Sequence, residues 1–220
     1  MDWPLLEPLP ENDRRAVLAA ARRRKYGKGE IVFHEGDPAD SLHLVLSGHL
    51  AIQVSTPDGE RATLNVLSPG AHVGELALLP GAPAHQRSAS VVALEPAETL
   101  VLSTAVFREL CEQNPQIERL LVELMAARIR ELSARLVEAL YTGLDRRLYR
   151  CLLSLAEVYG SGSANPVIPL TQEQLADLVG GTRPSVNQIL QRLLDQHVID
   201  LGRGKVTVLD LAALRRKSGD

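Results

Sequence analysis

Residues 171–196 read TQEQLADLVGGTRPSVNQILQRLLDQ, and this stretch decides what the C-terminal part of the chain is. Thr171 and Gln174 have the spacing of a capping box, in which each side chain satisfies the other's backbone N–H, so a short helix opens here. Gly180-Gly181 breaks it. Thr182 can cap a second helix, and Pro184 is tolerated in its first turn because a proline there gives up no intrahelical bond. Ala176 is small where two helices would cross, and Val186 and Leu190 face inward. The pattern fits a helix-turn-helix of the DNA-binding kind; an ordinary helical hairpin also satisfies it.

If the second helix enters the major groove, Thr182, Arg183, Pro184, Ser185, Asn187 and Gln188 face base edges. Arg183 can grip guanine O6 and N7 with two N–H groups, and Asn187 or Gln188 can do the same to adenine. Pro184 offers only apolar contact. Downstream, residues 198–201 and 206–209 alternate around Gly202-Arg203-Gly204-Lys205, which predicts a hairpin with Arg203 and Lys205 at its tip. As a wing it would set these cations beside phosphate; a plain solvated hairpin is the alternative. Thr171 and Gln172, at the mouth of the first helix, complete the candidate DNA contacts. Arg215, Arg216 and Lys217 read as a solvated tail.

Moving toward the N-terminus, residues 145–158 form an amphipathic helix through Leu148, Leu152, Leu155 and Ala156, followed by a flexible Gly160–Ser163 loop. Before the possible hinge at Gly143, the positions Val122, Met125, Ile129, Leu132, Leu136 and Ala139 recur at alternating spacings of 3 and 4. That is the a/d seam of a coiled coil, so a homodimer is expected; a helix packed on its own domain is the alternative. The helical pattern begins after Ser103 and is interrupted at Asn114-Pro115.

Residues 11–25 look like a short helix with Val17, Leu18 and Ala21 on its apolar face. From Ile31 to Leu102 the period is two. Ile31 and Phe33, Leu42 to Leu46, Leu50 to Val54, Ala62, Leu64 and Val66, Val91 to Ala93, and Thr99 to Leu102 predict half-buried strands. Turns fall at Pro57-Asp58-Gly59 and Ser68-Pro69-Gly70, and the spacing suggests an antiparallel jelly roll.

The 220 residues carry 45% hydrophobic and 23% charged residues, an ordinary globular composition that excludes disorder and collagen-like repeats. The net charge of −3 argues against a surface basic all round, yet it divides into −5 over residues 1–144 and +2 over 145–220. The sign suits a C-terminal part that meets nucleic acid. Cys111 and Cys151 are far apart and lack metal-ligand spacing, so no metal site is expected and the compartment expected is the reducing cytoplasm. The longest apolar run near the N-terminus, Ala16 to Ala21, is too short to span a membrane.

Among the strands lie Gly74-Glu75-Leu76-Ala77-Leu78-Leu79, Gly81-Ala82-Pro83 and Arg87-Ser88-Ala89-Ser90. A glycine that admits close backbone approach, a short helix with free N–H groups, an arginine fork and a serine hydroxyl together suit a phosphodiester. Read alone, Glu75 and Arg87 could equally be a surface ion pair. The run GELALL, GAP, RSA resembles the phosphate-binding cassette of cyclic-nucleotide-binding domains. With the long helix and the helix-turn-helix in the same order, the whole chain resembles a regulator of the CRP/FNR superfamily.

That resemblance implies an α+β architecture: an N-terminal β jelly roll, a long dimerisation helix and a C-terminal winged helix-turn-helix. The domains expected are a sensor over 1–115, the dimer helix and hinge over 116–142, and a DNA-binding domain over 143–220. It implies that Glu75 binds a ribose hydroxyl, that Arg87 and Ser88 hold a cyclic phosphate, and that Gly74, Leu76, Ala77 and Ala89 line the pocket. Aligning Asn114-Pro115 puts Arg128, Leu132 and Ser133 on the ligand-facing part of the dimer helix. There the family's usual Thr-Ser pair is Leu132-Ser133, so one polar contact to the base is lost.

The implied ligand is cAMP, with cGMP, another cyclic nucleotide or none as alternatives. The implied partners are a second copy of the chain, double-stranded DNA with an inverted repeat, and RNA polymerase. Enzymatic activity is not expected, since no catalytic constellation stands out. A regulator that has lost its ligand, or a module that controls a partner protein, are the competing functions. The iron–sulfur branch is disfavoured because no cysteine precedes Cys111, and a haem role for His34, His43, His49 or His72 is disfavoured by their positions in or beside strands. His85 reads as an exposed loop residue. The recognition helix keeps only the first arginine of the family's Arg-Glu-x-x-x-Arg pattern, and Gly143 replaces a common hinge aspartate.

Overall fold

The computed structural model describes residues 3, 6–7, 9–55, 61–78, 86–113, 115–160 and 163–219. The Pro57-Asp58-Gly59 turn, Leu79, Gly81-Ala82-Pro83, His85, Asn114 and Ser161-Gly162 lie outside them. The chain divides into two compact units, Met1–Glu131 and Leu132–Asp220.

In the first unit helix α1 spans Glu11–Ala20, and the chain then runs extended as β1, Arg22–Tyr26. The helix expected over 11–25 is therefore too long at its end. Tyr26 is buried only if this segment pairs with β8, Ala97–Ser103, and Glu98 of that strand holds both Arg23 (3.3 Å) and Lys25 (3.1 Å). Tertiary pairing overrides the local helical preference.

The remaining strands are β2 (Ile31–Phe33), β3 (Ser41–Ser47), β4 (Leu50–Ser55), β5 (Arg61–Leu67), β6 (His72–Val73) and β7 (Ser90–Ala93). They form two four-stranded antiparallel sheets, β1-β8-β3-β6 and β2-β7-β4-β5, which make the jelly roll.

Strand β3 is not half-buried as its alternation suggests. Leu42 and Leu44 enter a core with Trp3, Val17, Leu102 and Phe107, while Val45 enters another with Tyr26, Leu50, Ile52 and Val91. Because α1 and α2 (Thr104–Gln113) supply apolar side chains to the first core, both faces of β3 are dry, and the intervening His43 is buried too. The Trp3 indole N–H donates to the Val45 carbonyl at 3.2 Å, tying the N-terminal segment to this strand.

Strand β5 departs from its pattern as well. Ile52 pairs with Asn65 but Gln53 with Thr63, so Leu64 is the extra residue of a bulge; it is 42% exposed, while Thr63 is buried.

Helix α3 spans Pro115–Tyr141 and crosses the boundary between the units; α4 follows over Leu144–Gly160. In the second unit α4 buries Leu148, Leu152, Leu155 and Ala156 and contacts α5 (Gln172–Val179) and α6 (Arg183–Asp195). The wing strands β10 (Ile199–Gly202) and β11 (Lys205–Val208) are joined by β9, Val167–Ile168, which has too few residues for a periodic signal.

Residues expected as a solvated tail form α7, Leu211–Ser218. Asp210 caps it by accepting from the Ala213 N–H at 2.8 Å, and Leu214 is fully buried, so one apolar anchor suffices to dock a basic helix on α4.

Candidate ligand pocket and nucleic-acid interface

In the first unit Gly74 ends β6 and Glu75–Leu78 follows as one 3-10 turn. Gly74 has φ +88°, and a Cβ there would lie 2.5 Å from Arg87 Nη1 and 2.7 Å from the Ser41 carbonyl oxygen. Only glycine fits. Ala77 is buried and anchors the turn, Leu76 is half exposed, and Glu75 lies between those extremes.

Arg87 is just 6% exposed. Its backbone is clasped by the loop after β2, with Gly36 N–H donating to the Arg87 carbonyl and Arg87 N–H to the Asp37 carbonyl, each at 2.8 Å. Its side chain is held from β3. Nη1 donates to the Ser41 carbonyl at 2.7 Å, and Nη2 donates to Ser41 Oγ at 2.9 Å and to Asp40 Oδ1 at 3.4 Å. The guanidinium also lies over the Phe33 ring, 4.0 Å from its centre.

The surface ion pair with Glu75 is thus not what forms; the carboxylate in contact is Asp40. Burial lowers the Arg87 pKa, opposed by Asp40, Asp37 and Glu75, and the group stays a cation. Its buried Nε–H has no hydrogen-bond partner among the described residues. A buried cation with a spare N–H, packed against the bare backbone of a glycine, suits an anionic oxygen, so these residues fit a phosphodiester. Ser88 is exposed beside Arg87, and Ala89 packs on the inner core.

Arg128 on α3 is engaged by Glu131 at 2.8 Å. His72 sits in the same field: burial lowers its pKa, Glu75 opposes, Arg128 adds to the lowering and Glu131 opposes. Further along α3, in the second unit, Leu132 and Ser133 are exposed. So are Val122, Ile129, Leu136 and Ala139, with Ile129 64% and Leu136 60% exposed, while Met125 is half-buried.

In the second unit the capping box forms as its spacing predicts. Gln174 N–H donates to Thr171 Oγ1 at 3.2 Å, and Thr171 N–H donates to Gln174 Oε1 at 2.9 Å. Gly180 closes α5 in the left-handed region at φ +61°, and Thr182 caps α6 by accepting from the Ser185 N–H at 3.3 Å.

Val186 and Leu190 are fully buried, which turns Thr182, Arg183, Pro184 and Gln188 outward; Ser185 and Asn187 are half-buried, and Ser185 Oγ is bonded to Thr182 Oγ1 at 2.9 Å. The wing turn is Arg203-Gly204, with Arg203 and Lys205 exposed.

Thr171, Gln172, Arg183, Gly204 and Lys205 converge on one cleft of about 330 Å³. Glu173 lines it too, and it was not among the expected contacts; its place one residue past Gln172 in the first turn of α5 is the signal that could have found it. A groove edged by two cations and a helix N-terminus, with one carboxylate, can accept a phosphate oxygen.

Residues 23–114 match the family model for the cyclic nucleotide-binding domain, and residues 146–217 match that for the Crp-like helix-turn-helix domain. The chain is 32% identical to the cyclic AMP receptor protein of Thermus thermophilus over 96% of its own length and 94% of that protein's. It is 29% identical to the CRP-like cAMP-activated global transcriptional regulator of Mycobacterium tuberculosis over 88% and 86% of the two. The crystal structure of the Thermus thermophilus catabolite activator protein superposes with a TM-score of 0.56 at 30% identity, covering 98% of both chains.

Among the described residues no helix is long and apolar enough to cross a membrane. With a cyclic-nucleotide-binding jelly roll followed by a Crp-like DNA reader, this chain belongs to the CRP/FNR family of transcription regulators.

Proposed function

We propose that the protein is a cytoplasmic homodimer that binds cAMP in the jelly roll and, in response, sets paired α6 helices on inverted half-sites of double-stranded DNA, acting on RNA polymerase. The observation that carries the ligand reading is Arg87, a guanidinium 6% exposed whose Nε–H lacks a partner among the described residues and which faces the backbone of Gly74.

In this reading Arg87 and Ser88 donate to the phosphate, Glu75 accepts from the ribose, and Gly74, Leu76, Ala77 and Ala89 line the site. Arg128 meets the ligand from the part of α3 that belongs to the same unit. Exposed apolar side chains at Val122, Ile129, Leu132 and Leu136, with Met125 and Ala139, support a seam between two copies of α3. The names of both the Thermus and Mycobacterium relatives refer to cAMP, which favours that nucleotide. A ligand shifts the DNA-binding equilibrium only by as much as it prefers one arrangement of the dimer.

A second reading, a regulator that acts without ligand, is favoured by one observation. Arg87 already has Ser41 and Asp40 as internal acceptors. An electrophoretic mobility shift on a selected operator, titrated with and without cAMP, separates the two. Tighter DNA binding with cAMP is expected, and indifference to cAMP selects the second reading.

A further inference from the structure

We infer that His43 is a positioning residue for Arg87, acting through the Ser41 hydroxyl with its ring fixed as the Nε2–H tautomer. Its effect on ligand affinity rests on the phosphate-binding reading of Arg87; the geometry does not.

Ser41 Oγ is a three-way junction, 2.8 Å from Asp40 Oδ1, 2.9 Å from Arg87 Nη2 and 3.3 Å from His43 Nε2. A hydroxyl has one proton and two lone pairs. The carboxylate can only accept, so the Ser41 proton goes to Asp40. The guanidinium can only donate, so it takes one lone pair. What remains at Ser41 Oγ is a lone pair, and His43 Nε2 must donate to it. The neutral ring then turns Nδ1 toward Thr99 Oγ1, 3.3 Å away, as an acceptor, and the threonine hydroxyl donates. Two groups with no choice of role thus fix the direction of every bond from Thr99 to Asp40.

The surroundings keep the ring neutral. Arg24 comes from β1, Phe33 from β2 with its ring centre 5.5 Å away, Thr99 from β8, and Arg87 and Asp40 from the neighbouring loops. Burial and the two arginines push the His43 pKa down to about 4, with only Asp40 opposing. A second cation against Arg87 is thereby avoided.

The consequence falls on the arginine fork. Ser41 ties the Nη1 and Nη2 end of the guanidinium, which fixes its plane and with it the direction of the buried, unpartnered Nε–H. Without the His43 donor Ser41 Oγ is held only by the exposed Asp40 carboxylate and by Arg87 itself, so the acceptor under Nη2 is less firmly fixed and the Nε–H is less firmly aimed. A pre-set fork binds an anion more tightly than one ordered at binding.

The test uses the full-length ¹⁵N-labelled protein. In the free wild type, long-range ¹H–¹⁵N spectra should show His43 as the Nε2–H tautomer and Arg87 with slowed guanidinium rotation. His43→Phe should speed that rotation, and His43→Gln, whose amide supplies a donor at similar reach, should restore it. Ser41→Ala, a small deletion, covers the case in which His43→Phe does not fold, and should mix the two ring tautomers while freeing Nη2.

With cAMP as probe in calorimetry, affinity should fall roughly three- to tenfold in His43→Phe and recover in His43→Gln. A wild-type Nδ1–H ring, or unchanged Arg87 rotation in His43→Phe, or in Ser41→Ala where that is the variant measured, overturns the inference. So does cAMP binding in His43→Phe equal to that of a wild type that binds. If the wild type fails to bind cAMP while the spectra behave as described, His43 still positions Arg87 and the phosphate reading falls.

Discussion

Lysine in place of Arg87 keeps the charge and gives up the fork. Three donated bonds hold this guanidinium, so Arg87→Lys should lose at least one charge-assisted contact to a phosphodiester and weaken cAMP binding by about 1.5–3 kcal/mol, read by calorimetry. His43 makes a different prediction, about acid. Its pKa of about 4 in the folded protein lies below the ordinary 6.5, so between those values the unfolded chain holds a proton that the folded chain does not. Stability from this group is complete above pH 6.5 and declines as pH falls toward 4, by about 2–3 kcal/mol at the acid end. His43→Gln should remove that share of the decline in urea melts at pH 7 and pH 4.5. That Gly74 and Arg87 lie together was legible in the sequence, because only thirteen positions separate them and their residue types stand out. The clasp by Asp40 and Ser41 was not, since 46 residues separate Ser41 from Arg87 and its strand reads only as an apolar alternation.

Elements were legible where their ends are settled by short-range chemistry. Both caps of the DNA reader, Thr171 with Gln174 and Thr182 with Ser185, are three-residue contacts, and α5 and α6 start where those residues stand. Strands β1, β6 and β9 were hidden because five, two and two residues become strands only when a partner bonds to them. Helix α7 has an N-cap signal in Asp210 ahead of Leu211-Ala212-Ala213-Leu214, but its three following cations give it the composition of a solvated tail and hide the one buried leucine. Helix α3 carries the prediction at this scale. If its exposed apolar stripe is a seam, Leu136→Asp should bury a carboxylate between two copies and give monomers in light scattering. A variant that remains dimeric moves the interface elsewhere.

For the molecule as a whole, a two-fold dimer with one reader per chain should select two inverted half-sites with centres about 10 bp apart, one turn of the duplex. Selection from random duplexes reads this directly. Arg183→Ala should cost roughly 1–3 kcal/mol and relax one base position, whereas Lys205→Ala should weaken all sequences alike and lower the salt slope by about one. The jelly roll with a winged reader was legible because each part has its own periodicity and punctuation. Where β3 is dry on both faces it was not, because that depends on helices distant in sequence covering the sheet. The same strand gives the molecule an optical property. Trp3 is the only tryptophan in the chain, it is 5% exposed, and its indole is bonded to β3 two residues from His43. Intrinsic fluorescence excited at the red edge of the indole band, where tyrosine does not absorb, therefore watches the first unit alone, while circular dichroism sums the helices of both. Followed together through one denaturant titration, the two signals time the melting of each half, with no dye attached to either.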